Sequence, residues 1–202
     1  RGDHDTSFMT GANQVPEGVQ YVVTLDADTR LMRDAVTKLV GKIAHPINKP
    51  VIDPKTRRVT QGYGILQPRV TPSLTTGKEA SAFQRIFSAN RGIDPYVFTV
   101  SDVYQDLTGE GTFTGKGLYH VDAFETAIKG RIEENRVLSH DLLEGSLSRC
   151  ALVTDVELVE DFPTRYEVES SRQHRWARGD WQLLPYIFNP RSGMNGLARW
   201  KM

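Results

Sequence analysis

The chain has 202 residues, of which 39% are hydrophobic and 25% are charged, and its formal net charge is zero. This length and apolar content fit one domain with a single core. The balanced charge argues against a strongly basic surface, so we expect no nucleic-acid partner. No run reaches the roughly 18 apolar residues of a membrane-spanning helix. The single cysteine, Cys150, excludes an intrachain disulfide, and we expect it to be an unreactive helix residue.

Short apolar runs alternate with amphipathic segments along the chain. Strands are predicted over residues 21–25, 64–70, 118–121 and 152–162. Helices are predicted over residues 33–44, 78–90, 123–129, 140–150 and 167–188. Asp122 and Ser139 are the predicted N-caps of the third and fourth helices, and Pro185 is predicted to end or kink the fifth. The alternation predicts an α/β structure with a mixed sheet flanked by helices.

Several segments qualify this outline. Residues 48–60 favour a loop or a short exposed hairpin, and Pro68 favours an edge position or an early end for the second strand. Residues 106–117 contain four glycines, which predicts a loop that wraps closely around another group. Residues 152–162 alternate apolar and acidic residues, so we expect one wet face on this strand. After residue 189 no clear pattern remains.

Two aspartates, Asp26 and Asp28, directly follow the first predicted strand. Carboxylates one residue apart at a strand end project to the same side and can hold a hard divalent cation, which can bridge a diphosphate. Open α/β sheets bind ligands at this end of their strands. The alternative is a simple turn in which Asp28 caps the next helix. The residues by themselves leave both interpretations open.

Asp141 opens the fourth predicted helix, in the string Ser139-His140-Asp141. An aspartate at this position can act as a general base that takes a proton from an acceptor hydroxyl. An acidic first turn also interacts favourably with the helix dipole without any catalytic role. The position alone favours the second explanation.

Residues 172–181 combine arginines with tryptophans. Arg172, Arg175 and Arg178 recur every third residue, so a helix presents them on neighbouring faces. Guanidinium groups suit a pyrophosphate, and the faces of Trp176 and Trp181 suit sugar rings. A solvated basic helix with two structural tryptophans is the alternative.

The order of these motifs resembles that of processive GT-A glycosyltransferases, which include cellulose and hyaluronan synthases. Longer strings narrow the match. They are YVVTLDADTRL from residue 21, GYGILQPRV from 62, GIDPY from 92, SDVYQDLTGEGTFTGKGLYHVD from 101, LSHDLLEG from 138 and HRWARGDWQ from 174. Over about residues 19–187, the chain resembles the glycosyltransferase region of bacterial cyclic β-1,2-glucan synthases.

The resemblance implies a GT-A fold and inverting transfer of glucose from UDP-glucose to a growing β-1,2-glucan chain. Asp141 matches the expected catalytic base. Asp26 and Asp28 match the pair that holds Mg²⁺ or Mn²⁺ and the UDP diphosphate. The remaining expected contacts are Arg172, Arg175 and Trp176 with the nucleotide sugar, and Phe113, Thr114, Gly115 and Trp176 with the acceptor. Glu110 and Glu144 are further carboxylates near the expected site.

The sequence departs from the pattern of the family in three places. Arg172 stands where the Gln-x-x-Arg-Trp motif has glutamine, and Ser139-His140 replaces Thr-Glu before the base. Nothing before residue 19 matches the first strands of a GT-A fold, so we expect a partial fold that lacks the N-terminal nucleotide-binding half. We therefore divide the chain into a linker (1–18), a glycosyltransferase core (19–188) and a C-terminal tail (189–202). We expect weak or absent turnover by this chain alone.

By the same resemblance, the partners are UDP-glucose, a β-glucan acceptor and the rest of a membrane-bound parent synthase. The expected location is a cytoplasmic domain of a bacterial inner-membrane protein. Three alternatives remain from the residues: a hydrolytic glycosidase with paired carboxylates, a non-catalytic carbohydrate-binding module, and a processive transferase of another linkage. A glycosidase would need no divalent cation and no nucleotide, so sensitivity to chelators separates it from a transferase.

Overall fold

The computed structural model describes residues 17–73, 80–87, 102–132, 136–190 and 192–202. The strands are β1 (Tyr21–Thr24), β2 (Thr29–Leu31), β3 (Val51–Ile52), β4 (Val59–Gln61), β5 (Ile65–Pro72), β6 (Gly117–His120) and β7 (Cys150–Glu160). The helices are α1 (Ala35–Ile43), α2 (Ala82–Phe87), α3 (Val103–Thr108), α4 (Val121–Ile128), α5 (Asp141–Ser148), α6 (Tyr166–Trp181), α7 (Leu184–Phe188) and α8 (Gly196–Lys201). The predicted α/β class is confirmed.

Five strands form one mixed sheet in the order β1-β6-β5-β7-β2, and β3 and β4 form a separate hairpin. β5 and β7 pair in parallel, whereas β1 with β6, β5 with β6, and β2 with β7 are antiparallel. The predicted edge position of the second strand is therefore wrong, because this strand is β5, at the centre of the sheet. Pro68 fits there because the β5–β7 register shifts between Pro68 and Arg69, where the ladder is interrupted.

One face of the sheet is covered by α1. Ala35, Leu39 and Ile43 recur every fourth residue and are all at least 97% buried, as the predicted amphipathic helix requires. They pack with Leu66 of β5 and Leu118 of β6 in the main core cluster. Burial of each such leucine contributes roughly 2 kcal/mol, so this interface accounts for much of the stability of the sheet.

A second core cluster joins the helices of the C-terminal half. Its buried members are Ala127, Leu143, Leu147, Leu183, Met194 and Ala198. Ala198 belongs to α8, which begins after Asn195, whose side-chain oxygen accepts a hydrogen bond from Ala198 N at 2.7 Å. The segment after residue 189 therefore carries a helix that contributes to this core. Within the described residues, no helix has both the length and the apolar composition needed to cross a bilayer.

Two predicted caps are wrong. The N-cap of α4 is His120, whose Nδ1 accepts a hydrogen bond from Ala123 N at 3.4 Å, so Asp122 lies inside the helix. The N-cap of α5 is His140 rather than Ser139, and it makes no side-chain capping bond.

Several predicted element boundaries also differ from the structure. The predicted helix to residue 150 ends at Ser148, because its C-cap Arg149 adopts a positive φ of 55° and β7 begins at the next residue, Cys150. Cys150 is therefore a fully buried strand residue, not a helix residue. The predicted helix over 167–188 is divided into α6 and α7, with Pro185 in the first turn of α7. The glycine-rich segment begins within α3, a helix that the sequence did not indicate.

Other predictions hold or lie outside the described residues. The hairpin predicted within residues 48–60 is confirmed by β3 and β4. The predicted helix over 78–90 is seen as α2, and residues 78, 79 and 88–90 lie outside the described part. The string at 92–96 and residues 1–16 also lie outside it.

Glu110, one of the carboxylates expected near the site, lies in a buried ion pair. Its Oε1 is 2.5 Å from the Arg58 guanidinium, and the two side chains are 9% and 7% exposed. Arg58 Nε also donates to the carbonyl of Ser146 at 2.9 Å. Glu110 therefore has a structural role: it neutralises Arg58, which precedes β4 and is hydrogen-bonded to α5.

Glu110→Gln is expected to lower the free energy of unfolding around this pair by about 3 kcal/mol, because Arg58 would keep a buried, uncompensated charge. Hydrogen exchange of the peptides around Arg58, in the full-length protein, measures this change. The matched control is Asp155→Asn, which breaks an exposed 3.0 Å pair with Lys42 and is expected to cost about 0.5 kcal/mol. Equal effects of the two substitutions would contradict the prediction.

Candidate active site

The loop between β1 and β2 places Asp26 and Asp28 beside the sheet. Thr29 N donates to the Asp26 carbonyl at 3.1 Å, which closes a tight turn around the two residues. Helix α1 begins at Ala35 and its N-cap is Asp34. The interpretation of Asp28 as a helix cap is therefore wrong. Asp26 and Asp28 are both exposed at the surface of the turn and accessible to a ligand.

A third carboxylate, Glu160, and a lysine, Lys116, lie beside Asp26 and Asp28. Oxygens of Asp26, Asp28 and Glu160 all lie within 4.8 Å of one another. Lys116 Nζ lies 2.8 Å from Asp26 Oδ2 and 3.4 Å from Glu160 Oε2. Burial raises the pKa of Glu160, and the neighbouring Lys116 acts in the opposite direction. Three carboxylate oxygens at this spacing fit a hard divalent cation.

Neither Glu160 nor Lys116 was identified from the sequence. Glu160 was expected on the wet face of its strand, but it is 6% exposed, because β7 ends against Lys116 and α6. The prediction that the acidic residues of β7 face solvent is therefore wrong at Glu160, the last residue of the strand. Lys116 stands between two glycines in the glycine-rich segment, and a lone lysine in a predicted loop gave no signal of burial.

Asp141 is the first residue of α5 and faces Gly115. Burial raises the pKa of Asp141, and the negative charge of Glu144 raises it further. Ser139 Oγ donates to Asp141 Oδ2 at 3.5 Å. A carboxylate with a raised pKa next to an open cleft has the character of a general base.

His140 and Glu144 lie next to Asp141 on the same helix. His140 Nδ1 is 2.7 Å from Glu144 Oε1, and Tyr119 OH donates to Glu144 Oε2 at 3.2 Å. The contact with Glu144 raises the pKa of His140, so the two side chains form an ion pair when His140 is protonated. Glu144 is 6% exposed and is therefore a buried partner of its neighbours rather than an open ligand.

The segment with Phe113, Thr114 and Gly115 is tied to the sheet. Gln67 Oε1 accepts hydrogen bonds from Thr114 N at 3.0 Å and from Thr114 Oγ1 at 3.1 Å. Thr24 Oγ1, at the end of β1, donates to the Gly115 carbonyl at 3.2 Å. The Phe113 ring is 1% exposed and packs against Tyr119. Phe113 therefore anchors the segment, and its ring is not available to stack on a sugar.

Helix α6 places Arg172, Arg175 and Trp176 across from this segment. Arg172 contacts Glu160 at 3.3 Å and Glu169 at 3.0 Å, and its guanidinium lies 4.8 Å from the centre of the Trp176 ring. Trp181 of the same helix is 72% exposed. Arg172, which stands where the Gln-x-x-Arg-Trp motif has glutamine, therefore contacts the carboxylate group formed by Asp26, Asp28 and Glu160 directly, through Glu160.

Two adjoining clefts contain all the predicted site residues. One is lined by Phe113, Thr114, Gly115, Lys116 and Asp141, among others. The second is lined by Asp28, Glu160 and Arg172, and both clefts share Asp26, Arg175 and Trp176. The structure therefore brings residues from positions 26 to 176 into one continuous region.

Gly115→Ala is expected to lower any reaction rate that depends on Asp141 by about tenfold or more, because small displacements of reacting groups are costly. The added Cβ would lie 2.9 Å from Asp141 Oδ2, and φ at this glycine is +89°. Gly130→Ala is the matched control: φ is +72° there, but no atom lies within 4 Å of the added Cβ. It carries the same backbone strain without the contact, so we expect a rate close to wild type. Initial rates of the two variants in the full-length protein test the difference.

Comparison with known proteins gives one strong similarity. No family profile matches the chain. All 202 residues align at 81% identity with the curated cyclic beta-(1,2)-glucan synthase NdvB of Rhizobium meliloti (strain 1021), and the chain spans 7% of the length of that relative. The resemblance inferred from the sequence strings is confirmed by this alignment. Over its whole length, the chain is closely similar to one region of a cyclic β-(1,2)-glucan synthase.

Proposed function

We propose that this region carries the catalytic site of a glucosyltransferase that builds β-1,2-glucan from UDP-glucose. The observation that carries the proposal is the shared cleft. On one side lie the carboxylates Asp26, Asp28 and Glu160, and on the other lies Asp141. A site for a charged leaving group and a site for a general base are thus adjacent, as group transfer to a hydroxyl requires. The 81% identity to a glucan synthase supports the same conclusion.

The proposed reaction is a single in-line displacement at the anomeric carbon of the donor glucose. The 2-hydroxyl oxygen of the acceptor's terminal glucose forms a bond to this carbon as the bond to the UDP oxygen breaks, which inverts the configuration. Asp141 takes the hydroxyl proton. Arg172 and Arg175 would contact the diphosphate, and Trp176 would offer its ring to the acceptor sugar. Mg²⁺ or Mn²⁺ held by Asp26, Asp28 and Glu160 would neutralise charge on the departing UDP.

A GT-A fold is part of this proposal. The mixed sheet, with the Asp26–Asp28 turn following β1, supports it. In a protein of the length of the relative, the strands that bind uridine would belong to a part beyond these 202 residues. The glucan acceptor and a location at the inner face of a bacterial inner membrane are proposed on the same grounds.

The test uses membranes that contain the full-length protein. They are incubated with radiolabelled UDP-glucose, with and without EDTA, and the polymer is digested and its linkages are identified. We expect β-1,2-linked glucan, formed only with a divalent cation. Incorporation that persists in EDTA would contradict the metal assignment, and release of glucose from added glucan without nucleotide would favour a glycosidase. Polymer of another linkage would favour a related synthase.

A further inference from the structure

Lys116 is a buried cation between two carboxylates of the proposed donor site. Its side chain is 3% exposed, and its Nζ contacts both Asp26 at 2.8 Å and Glu160 at 3.4 Å. A buried ammonium group is strongly unfavourable unless it is paired, and these contacts supply the partners of Lys116. The lysine therefore lies where the carboxylates would otherwise repel each other.

The glycines on both sides of Lys116 are closely packed. An added Cβ at Gly117 would lie 2.3 Å from the Leu66 carbonyl oxygen, and one at Gly115 would lie 2.9 Å from Asp141 Oδ2. Both glycines are thus packed directly against their neighbours. The lysine side chain itself is long and flexible, so its ammonium can be displaced by side-chain rotation.

Lys116 and a divalent cation would compete for the same carboxylates. Asp26, Asp28 and Glu160 have oxygens within 4.8 Å of one another, and Lys116 contacts two of the three. Arg172 also contacts Glu160, but it is shared with Glu169. A divalent cation at these oxygens would therefore meet the positive charge of Lys116 nearby, and like charges at such short range repel strongly.

We propose that Lys116 is a positioning residue that serves as the counter-ion of Asp26 and Glu160 until a divalent cation binds. It holds the two carboxylates together in the metal-free protein, and it lowers their affinity for the cation. The inference rests on the proposed function, because it assumes that Asp26 and Asp28 bind the cation. It adds a residue that was not among the expected site residues.

The test is the affinity of the full-length protein for Mn²⁺, measured by electron paramagnetic resonance of free Mn²⁺ without nucleotide. Signal from other sites is subtracted with the double variant Asp26→Ala, Asp28→Ala. Lys116→Met keeps the length of the side chain and removes its charge. We expect it to bind Mn²⁺ about tenfold more tightly, because a like charge close to the ion is removed. Lys116→Arg keeps the charge and is expected to bind like wild type.

Lys42→Met is the matched control, because it removes a lysine from an exposed pair with Asp155 outside the cleft. It is expected to leave the Mn²⁺ affinity unchanged. A merely structural role of Lys116 predicts that Lys116→Met unfolds more readily and binds Mn²⁺ equally or less tightly. That result would overturn the inference. If Lys116→Met does not elute like wild type in size-exclusion chromatography, Lys116→Gln, which removes the same charge but stays polar, takes its place with the same expected outcome.

Failure of the inference differs from failure of the proposed function. Suppose that the double aspartate variant loses a Mn²⁺ site, but that Lys116→Met and Lys116→Gln leave the affinity of this site for Mn²⁺ unchanged. The metal site then stands, and the role proposed for Lys116 is wrong. If the double variant keeps all Mn²⁺ binding, the metal assignment itself is wrong, and the inference falls with it.

Discussion

Asp141→Asn is expected to lower glucose transfer by the full-length protein about 10³-fold, because a general base typically contributes 10²- to 10⁴-fold and an amide cannot take the proton. Asparagine has nearly the shape of aspartate, so the contact with Gly115 stays intact. UDP binding, measured by calorimetry, is therefore expected to change little. The initial rate of incorporation from radiolabelled UDP-glucose gives the loss.

The pH dependence of the wild-type rate is an independent check on Asp141. Burial and the charge of Glu144 raise the pKa of Asp141. Because the base must be deprotonated, the rate is expected to fall as the pH falls through this raised pKa, at a higher pH than an ordinary aspartate would give. Glu144→Gln removes one cause of the shift, so it is expected to move this acid limb to lower pH. A rate for Asp141→Asn within tenfold of wild type, with an unchanged acid limb, would exclude Asp141 as the base.

The double substitution Asp26→Ala, Asp28→Ala is expected to weaken Mn²⁺-dependent binding of UDP roughly 100-fold, because the cation supplies several kcal/mol of charge stabilisation. EDTA is expected to have the same effect on the wild-type protein and no further effect on the variant. Calorimetric titration of UDP into the full-length protein, with and without Mn²⁺, measures both.

Asp155→Ala is the control for this substitution. It removes an acidic side chain that is 64% exposed and pairs with Lys42, so UDP binding is expected to stay at the wild-type level. Equal UDP affinity of the double variant and the control would show that the aspartate pair does not hold the cation. The same titration with the 202-residue chain alone is expected to give weak binding at best.

The sequence predicted the individual strands and helices better than it predicted which strands lie next to each other in the sheet. β1, α1 and β6 follow from local patterns, because apolar spacing within one segment determines which face is buried. The central position of β5 could not be predicted, because Pro68 is compatible with it only through a register shift in β7, about 85 residues away in the chain. Strand order depends on such distant pairings, which a single segment does not encode.

Candidate site residues could be named from the sequence, whereas the charged partners that the structure places beside them could not. Asp26, Asp141 and Arg175 lie in recognisable strings, so the resemblance located them. Lys116 and Glu160 are 44 residues apart and meet only because β6 and β7 flank the same central strand. Neither carries a local signal. The ion pairs that organise the site are long-range contacts, and they require the folded chain.

Cys150 offers a way to observe this site without a substrate. Its thiol is fully buried at the start of β7, with Sγ 3.9 Å from the carbonyl of Thr112, which precedes the segment that lines the cleft. A small alkylating reagent reaches such a sulfur only when the surrounding strands separate, so its rate reports the equilibrium of local opening. A nucleotide sugar that bridges α6 and the Thr114 segment would slow this alkylation. Mass spectrometry of the peptide with Cys150 therefore measures how often the structure around Cys150 and Thr112 opens locally, and whether a bound ligand reduces this opening.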